Sequence, residues 1–501
     1  MVSEVREYVG LHEYDGVVAD LSPEGVKSRL ARLGDGPPEP DPHDEAHLAA
    51  FEDRLRAELG TAELHRRSPM ALLGELDLSA YERDYAPAAE RAAARRRHIA
   101  AWPDAIDAGL ASLDQVSAPV ARSLQAAVEG LTAGLAAPGQ DPDDPLVVAA
   151  GDAHARFAHR VRLAAATGDP DPALGDRLLA LLLGAGEALA PDLGRLEELA
   201  DAERDRLRAW LTDACQRIDP RKRPDRVVAA LLADHPGPDQ VIDEARVLVH
   251  ETIAFTRATG LVPDLDGVCE VAHAPPSRRW ATALMSWAAP YEADAPSRYY
   301  VTPPDPAWPA GQQRAWLEVF NRASLPAITV HEVAPGHFAH GRALRRVKGD
   351  VRRVLHSLAF VEGWAHDAEE LAVEAGFRAG DPRFEAGVAL EALQRVTRLA
   401  VSLGLHRGTM SLTEAVTRFE ADGHLRGVAA EAEARRATYD PTYGRYTWGK
   451  LEIRRLRHQA RTRWGSGYSH PRFHAALLAL GAPPLGLMGE ALAERGTGGT
   501  T

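Results

Sequence analysis

The chain has 501 residues, too many for one simple hydrophobic core, so its length predicts two or three domains or one large body in two halves. Hydrophobic residues make up 45% of the chain and charged residues 26%, which is the usual composition of a packed globular protein. The formal charge of −14 argues against nucleic acid as a main partner, because phosphate binding requires a basic surface.

The sequence also argues against secretion and against membrane insertion. The two cysteines, Cys215 and Cys269, provide neither a disulfide framework nor a cysteine-based metal site. Residues 1–10 contain acids and lack the apolar segment of a signal peptide. The longest apolar run, Leu178–Ala190, includes Gly and Glu and is too short to cross a bilayer. We therefore expect a cytoplasmic protein without a membrane partner.

In chain order, the predicted elements fall into two halves. Between segments rich in Pro, Gly and Asp, residues 1–237 consist of long stretches with apolar side chains three and four apart, the spacing of amphipathic helices. We expect this all-helical half to wall a cleft. In residues 238–501, the short runs Val268–Ala272 and Arg298–Thr302, bounded by prolines, predict strands. The expected fold is therefore mainly α with a small β-sheet.

The segment Ser324–Leu344 holds three histidines and a glutamate within ten residues, around the sequence HEVAPGH. Imidazoles and a carboxylate are the preferred protein ligands of catalytic zinc. His331 and His337 are the candidate imidazole ligands. Glu332 directly follows the first of them and can accept the proton of an activated water.

The six-residue spacing between the two histidines requires a distortion of the helix. On a regular helix, His337 would lie about 240° around the axis from His331, pointing away from a shared metal. Pro335 cannot donate a hydrogen bond to the preceding turn, and Gly336 tolerates unusual backbone angles. The sequence therefore predicts that the helix breaks at this pair and that His337 swings back towards the metal.

The candidate third ligand is Glu362, which lies in Ala359–Leu371, 25 residues after His337. Its apolar and aromatic neighbours indicate partial burial, and a buried carboxylate requires a cation; the alternative is an ordinary exposed helix acid. Glu369, two turns further on, is either a partner that orients a ligand or a solvated acid. The similar pair His250–Glu251 has no following histidine and is interpreted as a helix-surface feature.

These motifs, HExxPGH followed by EGWA, resemble a bacterial family known as domain-of-unknown-function family 885, whose metal motifs are similar to those of the Glu-zincin peptidases. The likeness extends from about Val268 to Leu492. It implies that His331, His337 and Glu362 bind one catalytic Zn²⁺ and that Glu332 is the general base. The fold it implies is a zincin-like, mainly helical metallopeptidase body with a deep cleft, residues 238–501 forming the catalytic half.

Other segments that resemble the family supply further candidates. Tyr446 and His406 are candidates to stabilise an oxyanion, a contribution of about 3 kcal/mol, or else a packed aromatic residue and a helix-capping histidine. Arg398 could bind a substrate carboxylate or form an ion pair. Tyr299 and Tyr300, on a strand expected at the edge of the sheet, either line a cleft where an extended substrate adds a strand or pack in the core.

Three positions depart from the family pattern. Phe338 replaces a histidine directly after PGH, Asp367 replaces an aromatic residue after EGWA, and Ser402 replaces an acid four residues before His406. None of these changes removes a metal ligand or the general base. Whether they border the pocket and alter specificity stays open.

The function expected from these residues is a zinc-dependent hydrolase of an amide or peptide bond, acting on a peptide or a small amide substrate. One alternative is a specialised amide hydrolase of a single small metabolite. A facial-triad Fe(II) enzyme uses the same ligand types. A non-catalytic helical binding protein is the third alternative. The sequence does not distinguish exo- from endo-cleavage, and it leaves the oligomeric state open.

Overall fold

The computed structural model describes residues 2–136, 141–292 and 295–497, without the side chains of residues 2 and 494–497. The described chain is mainly helical, with 67% of it in helices, and contains one small three-stranded sheet. The predicted mainly α architecture with a small sheet is therefore confirmed.

The helices of the first half alternate with short turns along the chain. They are α1 (Val2–Glu4), α2 (Pro23–Ala31), α3 (Pro42–Leu55), α4 (Leu64–Arg67), α5 (Met70–Leu76), α6 (Ala88–Ser112), α7 (Ala118–Gly130), α8 (Thr132–Leu135), α9 (Pro145–Thr167), α10 (Asp176–Gly184), α11 (Leu193–Ile218), α12 (Pro224–Ala233) and α13 (Gln240–Thr259).

The helices of the second half follow the sheet and include those that carry the site. They are α14 (Ala310–Leu317), α15 (Leu325–Glu332), α16 (His337–Leu344), α17 (Asp350–Val354), α18 (Leu358–Glu374), α19 (Pro382–His406), α20 (Leu412–Ala421), α21 (Val428–Tyr439), α22 (Arg445–Trp464), α23 (His470–Leu478) and α24 (Leu485–Thr497).

Several helices begin where a small polar residue precedes a proline. Ser22, Asp41, Asp144 and Asp381 each accept a hydrogen bond from a backbone N–H of the first turn that follows. The proline at the next position has no N–H to leave unsatisfied, and its fixed φ suits a helix start. The Asp-Pro and Ser-Pro pairs that divide the sequence therefore act as helix start signals.

The sheet consists of β1 (Cys269–His273), β2 (Ala283–Ser286) and β3 (Ser297–Val301), in the order β1-β3-β2. β3 runs parallel to β1 and antiparallel to β2. The two predicted strands are confirmed as β1 and β3. The sequence did not predict β2, because a four-residue Ala-Leu-Met-Ser segment has no β-branched or aromatic residue to signal a strand.

The expectation that Tyr299 and Tyr300 lie on an edge strand is wrong. β3 is the central strand and is hydrogen-bonded on both sides, so no extended substrate can pair with it. The two side chains are 0% and 4% exposed, and Tyr299 belongs to the main hydrophobic core. Of the two alternatives for this pair, the structure supports core packing.

Two large groups of buried apolar side chains form the interior. One group comes mainly from residues 19–161 and the other from residues 179–492. The second group contains residues from before and after residue 238. The predicted boundary between the two halves, at residues 237 and 238, stays a prediction.

The helix that carries Glu362 crosses α22 at very short range. Gly363 of α18 and Gly449 of α22 meet there backbone to backbone, and a Cβ at either position would collide with the other helix. Glu362 immediately precedes this crossing, and Tyr446 lies one turn before it on α22. The two glycines therefore fix the position of Tyr446 relative to Glu362.

Candidate metal centre

The helix break predicted between His331 and His337 is confirmed. α15 ends at Glu332 and α16 begins at His337. Between them, Val333 (φ −110°, ψ −84°) and Gly336 (φ −73°, ψ −133°) leave the helical conformation. Because the helix breaks here, His337 can lie on the same side as His331, which a regular helix would not allow.

The break is held by a contact between the two motifs. The indole Nε1 of Trp364, from the EGWA segment of α18, donates a hydrogen bond of 2.9 Å to the carbonyl oxygen of Pro335. Gly336 lies so close to the preceding turn that a Cβ would collide with the carbonyl oxygen of His331. The indole hydrogen bond and the lack of a Cβ at Gly336 therefore stabilise the backbone conformation that positions the candidate ligands.

His331, His337 and Glu362 come together as the sequence predicts. One ligand atom from each of them lies within 4.8 Å of the other two. The Oε2 atom of Glu362 is 3.6 Å from Nε2 of His331 and 3.3 Å from Nε2 of His337. In a tetrahedral zinc site with bonds of about 2.0–2.1 Å, neighbouring ligand atoms are roughly 3.3–3.4 Å apart. The donor set and its spacing therefore fit a zinc ion.

Glu362 is the most exposed residue of the three-residue cluster, although its Oε2 atom is buried. Its side chain is 17% exposed, whereas those of His331 and His337 are 3% and 8% exposed. Burial raises the pKa of Glu362, but the two imidazoles outweigh burial and hold the pKa well below its ordinary range. A carboxylate kept ionised between two imidazoles suits a divalent cation.

Glu332 is one of the residues at this site with an unsatisfied buried polar atom. It is 6% exposed, and its Oε2 has no hydrogen-bond partner among the described residues. Burial raises the pKa of Glu332 to about 7, against the opposing charge of His337. Its charge also acts on the phenol of Tyr299, whose pKa is raised mainly by burial.

Glu369 takes the orienting role that the sequence left open. Its Oε1 is 2.7 Å from Nδ1 of His331, so the imidazole can donate a proton there and keep Nε2 free for a metal. Burial raises the pKa of Glu369, but the guanidinium of Arg395, 3.3 Å away, outweighs it and holds the pKa below its usual range. Arg395 in turn contacts Glu391 at 3.1 Å.

Sequence reasoning missed Arg395 and Glu391, although Arg395 lies in the same helix as the candidate Arg398 and only three residues before it. No local signal distinguished it from the many other arginines of the chain.

The structure places Tyr446 beside the cluster. Its ring lies 6.2 Å from the ring of His331, and the two planes are 17° apart. Arg436 donates a hydrogen bond of 3.1 Å to the phenol oxygen, which leaves the phenol O–H free to donate elsewhere. The ring of Tyr446 therefore lies beside His331, and its oxyanion role stays a prediction.

Two of the other sequence candidates need correction. Arg398 donates to Glu433 through Nε and Nη2 at 2.7 and 2.8 Å, so its predicted role as a free carboxylate binder is wrong and the ion-pair alternative is correct. Nε2 of His406 is 2.8 Å from the carbonyl oxygen of Ala437. His406 also lies eleven residues beyond Arg395, about 16 Å along α19. Its predicted oxyanion role is therefore wrong.

The three departures from the family pattern are all buried. Phe338 is part of the hydrophobic core. Asp367 faces Arg457 at 3.4 Å, and the hydroxyl of Ser402 donates to the carbonyl of Pro441. The described contacts of these three side chains do not include the His331, His337 and Glu362 cluster.

The comparisons with known proteins concern the family and the fold. The sequence profile of a bacterial family described as "protein of unknown function (DUF885)" matches residues 4–492, so the likeness extends beyond the second half into nearly the whole chain. No match was found among curated proteins.

Two solved structures share this fold. One, from Shewanella oneidensis, is provisionally described as a lipoprotein of unknown function. It has a TM-score of 0.72 and 18% sequence identity, and the alignment covers 96% of this chain and 94% of the Shewanella chain. The other is a provisionally described lipoprotein from Colwellia psychrerythraea. It has a TM-score of 0.79 and 16% sequence identity, and the alignment covers 99% of this chain and 96% of the Colwellia chain. In the part of this chain that the structure describes, no helix has the length and apolar content needed to cross a membrane.

Proposed function

We propose that this chain, which belongs to the bacterial family DUF885, is a zinc-dependent hydrolase that cleaves an amide or peptide bond. The observation that carries the proposal is the convergence of His331, His337 and Glu362 within 4.8 Å, with the carboxylate of Glu332 next to them in the chain. Two imidazoles and one carboxylate leave a fourth position of a tetrahedral site for water or substrate, as catalytic zinc requires.

The surroundings of the ligands support catalysis more than passive metal storage. Glu369 orients His331 through a 2.7 Å contact, and Glu332 keeps one carboxylate oxygen without a partner among the described residues. The side chain of Glu362 is 17% exposed, more than those of the two histidines. A storage or structural site would instead use four protein ligands and close the metal off from water.

In the proposed reaction, each of three residues of the chain has a separate role. Bound zinc would polarise the scissile carbonyl and lower the pKa of a water molecule. The Glu332 carboxylate takes the proton of the attacking water and passes it to the nitrogen of the leaving amine. The free O–H of Tyr446 donates to the oxygen on which negative charge develops, a contribution of about 3 kcal/mol. Glu369 keeps the imidazole of His331 in the tautomer that a metal requires.

The proposal extends to the architecture and to the setting of the reaction. We propose that residues 238–501 form a zincin-like catalytic half and that the first half helps to wall a cleft. The substrate is a peptide or a small amide, either of many sequences or of one metabolite. A location in the cytoplasm stays a prediction from the sequence.

The test pairs hydrolysis with metal content. Protein purified without added metal is analysed for zinc and iron and then incubated with a mixture of short peptides, whose cleavage is followed by mass spectrometry. We expect about one zinc per chain and cleavage in the wild type, and zinc without cleavage in Glu332→Gln. Cleavage at the wild-type rate by Glu332→Gln would overturn the mechanism. Iron in place of zinc would favour the Fe(II) alternative.

A further inference from the structure

Three guanidinium groups surround the ring of Tyr446. The central carbon atoms of Arg398, Arg436 and Arg445 lie 4.9, 5.7 and 5.8 Å from the ring centre. Their side chains are 9%, 9% and 13% exposed, so each group has lost most of its hydration. Buried positive charges require partners, because their desolvation is costly.

Among the described residues, the ion pairs of these three guanidinium groups involve two carboxylates. Arg398 donates two hydrogen bonds to the carboxylate of Glu433. Asp440 is shared, at 3.1 Å from Arg436 and 2.6 Å from Arg445. The three guanidinium groups therefore outnumber the carboxylates that pair with them directly.

Arg445 is the most exposed arginine of this group, with 13% of its side chain exposed. Its Nη atoms bind Asp440 and the hydroxyl of Thr442, but its Nε has no hydrogen-bond partner among the described residues. Its guanidinium is also close enough to Glu362 for the two charges to interact. Arg445 therefore combines a buried N–H that has no partner among the described residues with a position near Glu362.

Arg445 also lines a recess with an apolar section. The recess measures about 530 Å³ including open solvent, and its wall contains Leu358, Ala359 and Trp448 as well as the acidic residues Glu58 and Glu187. Leu358 and Ala359 belong to the turn of α18 directly before Glu362. The recess therefore offers space for a small group beside Arg445.

The spacing fits a substrate charge close to the bond that is cleaved. The Arg445 guanidinium is 5.8 Å from the Tyr446 ring, which is 6.2 Å from the His331 ring, so at most about 12 Å separates Arg445 from that ligand. An extended chain spans roughly 3.3–3.6 Å per residue. A negative group one or two residues from the scissile carbonyl can therefore reach Arg445.

Resting on the hydrolase function proposed above, we propose that Arg445 binds the free carboxylate of the substrate. In a peptide, the backbone carboxylate nearest to a scissile bond belongs to the leaving side. The preferred substrates are therefore short peptides or N-acyl amino acids from which one or two C-terminal residues are released.

The experiment uses matched substrates that differ only at the C-terminus. Acylated dipeptides and tripeptides are supplied as pairs, with either a free carboxylate or a carboxamide, and kcat/KM is measured with the zinc-loaded full chain. We expect the wild type to prefer the carboxylate by at least tenfold. Arg445→Gln should reduce this ratio towards one, mainly through a higher KM, and Arg445→Lys should restore part of it.

The control is Arg435→Gln, which removes the same charge from an exposed arginine of α21 that pairs with Glu431. It should keep the wild-type carboxylate preference. Equal cleavage of both members of a pair by the wild type would overturn the proposal, and so would an unchanged ratio in folded Arg445→Gln.

A binding measurement separates this proposal from the hydrolase function. Zinc-loaded Glu332→Gln is titrated calorimetrically with both members of a substrate pair. If no substrate is hydrolysed by the wild type but the carboxylate still binds at least tenfold tighter than the carboxamide, the hydrolase function fails and the carboxylate subsite stands. Equal affinity for the two members contradicts the subsite whatever the outcome for hydrolysis.

Discussion

Replacement of Glu369 by glutamine isolates the contact that orients a candidate metal ligand. Glu369 lies 2.7 Å from Nδ1 of His331 and is fully buried. Glutamine can still accept a hydrogen bond from the imidazole through its amide oxygen, but it carries no charge to strengthen the metal-binding nitrogen. Arg395 retains Glu391 as a partner at 3.1 Å, so the substitution does not leave it without a counter-charge.

The expected effect is on zinc affinity. Loss of a residue that orients a metal-binding histidine typically weakens metal binding by about 10–100-fold, or roughly 1.4–2.8 kcal/mol. Because the glutamine keeps the hydrogen bond, we expect Glu369→Gln at the lower end of this range and Glu369→Ala at the upper end. The measurement is competition for zinc against a chromophoric chelator of known affinity.

The matched control is Glu374→Gln on the same helix, whose carboxylate is 33% exposed and lies 3.1 Å from Arg457. It should leave the zinc dissociation constant unchanged within about twofold, as expected for a surface ion pair remote from the metal. Thermal melts of the metal-free proteins check that each variant folds. If folded Glu369→Gln binds zinc as tightly as the wild type, the proposed role of Glu369 is refuted.

Two further predictions concern the stability of the fold. Gly363→Ala should destabilise the protein by about 1–3 kcal/mol, because its Cβ meets the backbone of Gly449. Gly151→Ala in α9 has open space around it and should instead stabilise by roughly 0.5–1 kcal/mol; urea unfolding of both variants tests this, and equal effects would contradict it. Burial raises the pKa of Glu187 to about 7, so the folded state holds this proton more firmly than the unfolded state. Relative to Glu187→Gln, the wild type should lose on the order of 3 kcal/mol of unfolding free energy as pH rises from about 4.5 to 7.5. Parallel pH profiles of the two proteins would contradict the assignment.

The residues of the candidate site that the structure brings together lie in short, dense motifs of the sequence. His331, Glu332 and His337 stand within seven residues, and a proline in the middle of a helical pattern announces a break on steric grounds alone. Glu362 was recognisable because an acid among large apolar side chains requires a counter-charge. Each of these inferences uses local chemistry and no knowledge of tertiary contacts.

The corrected predictions depend on long-range pairing. Arg398 meets Glu433 at a separation of 35 residues, and no local pattern reveals that pair. The central position of β3 depends on β2, whose sequence carries no strand signal. Arg436 and Arg445 resemble the many other arginines of the chain, and only the fold brings them to the ring of Tyr446.

The central claim is that His331, His337 and Glu362 bind one zinc ion, and anomalous X-ray diffraction at the zinc edge tests it most directly. Crystals of protein purified without added metal and then supplied with one equivalent of zinc should show one strong peak. We predict that it lies about 2.0–2.2 Å from Nε2 of both histidines and from a carboxylate oxygen of Glu362. The absence of a peak at this cluster, or zinc held by other residues, would contradict the account.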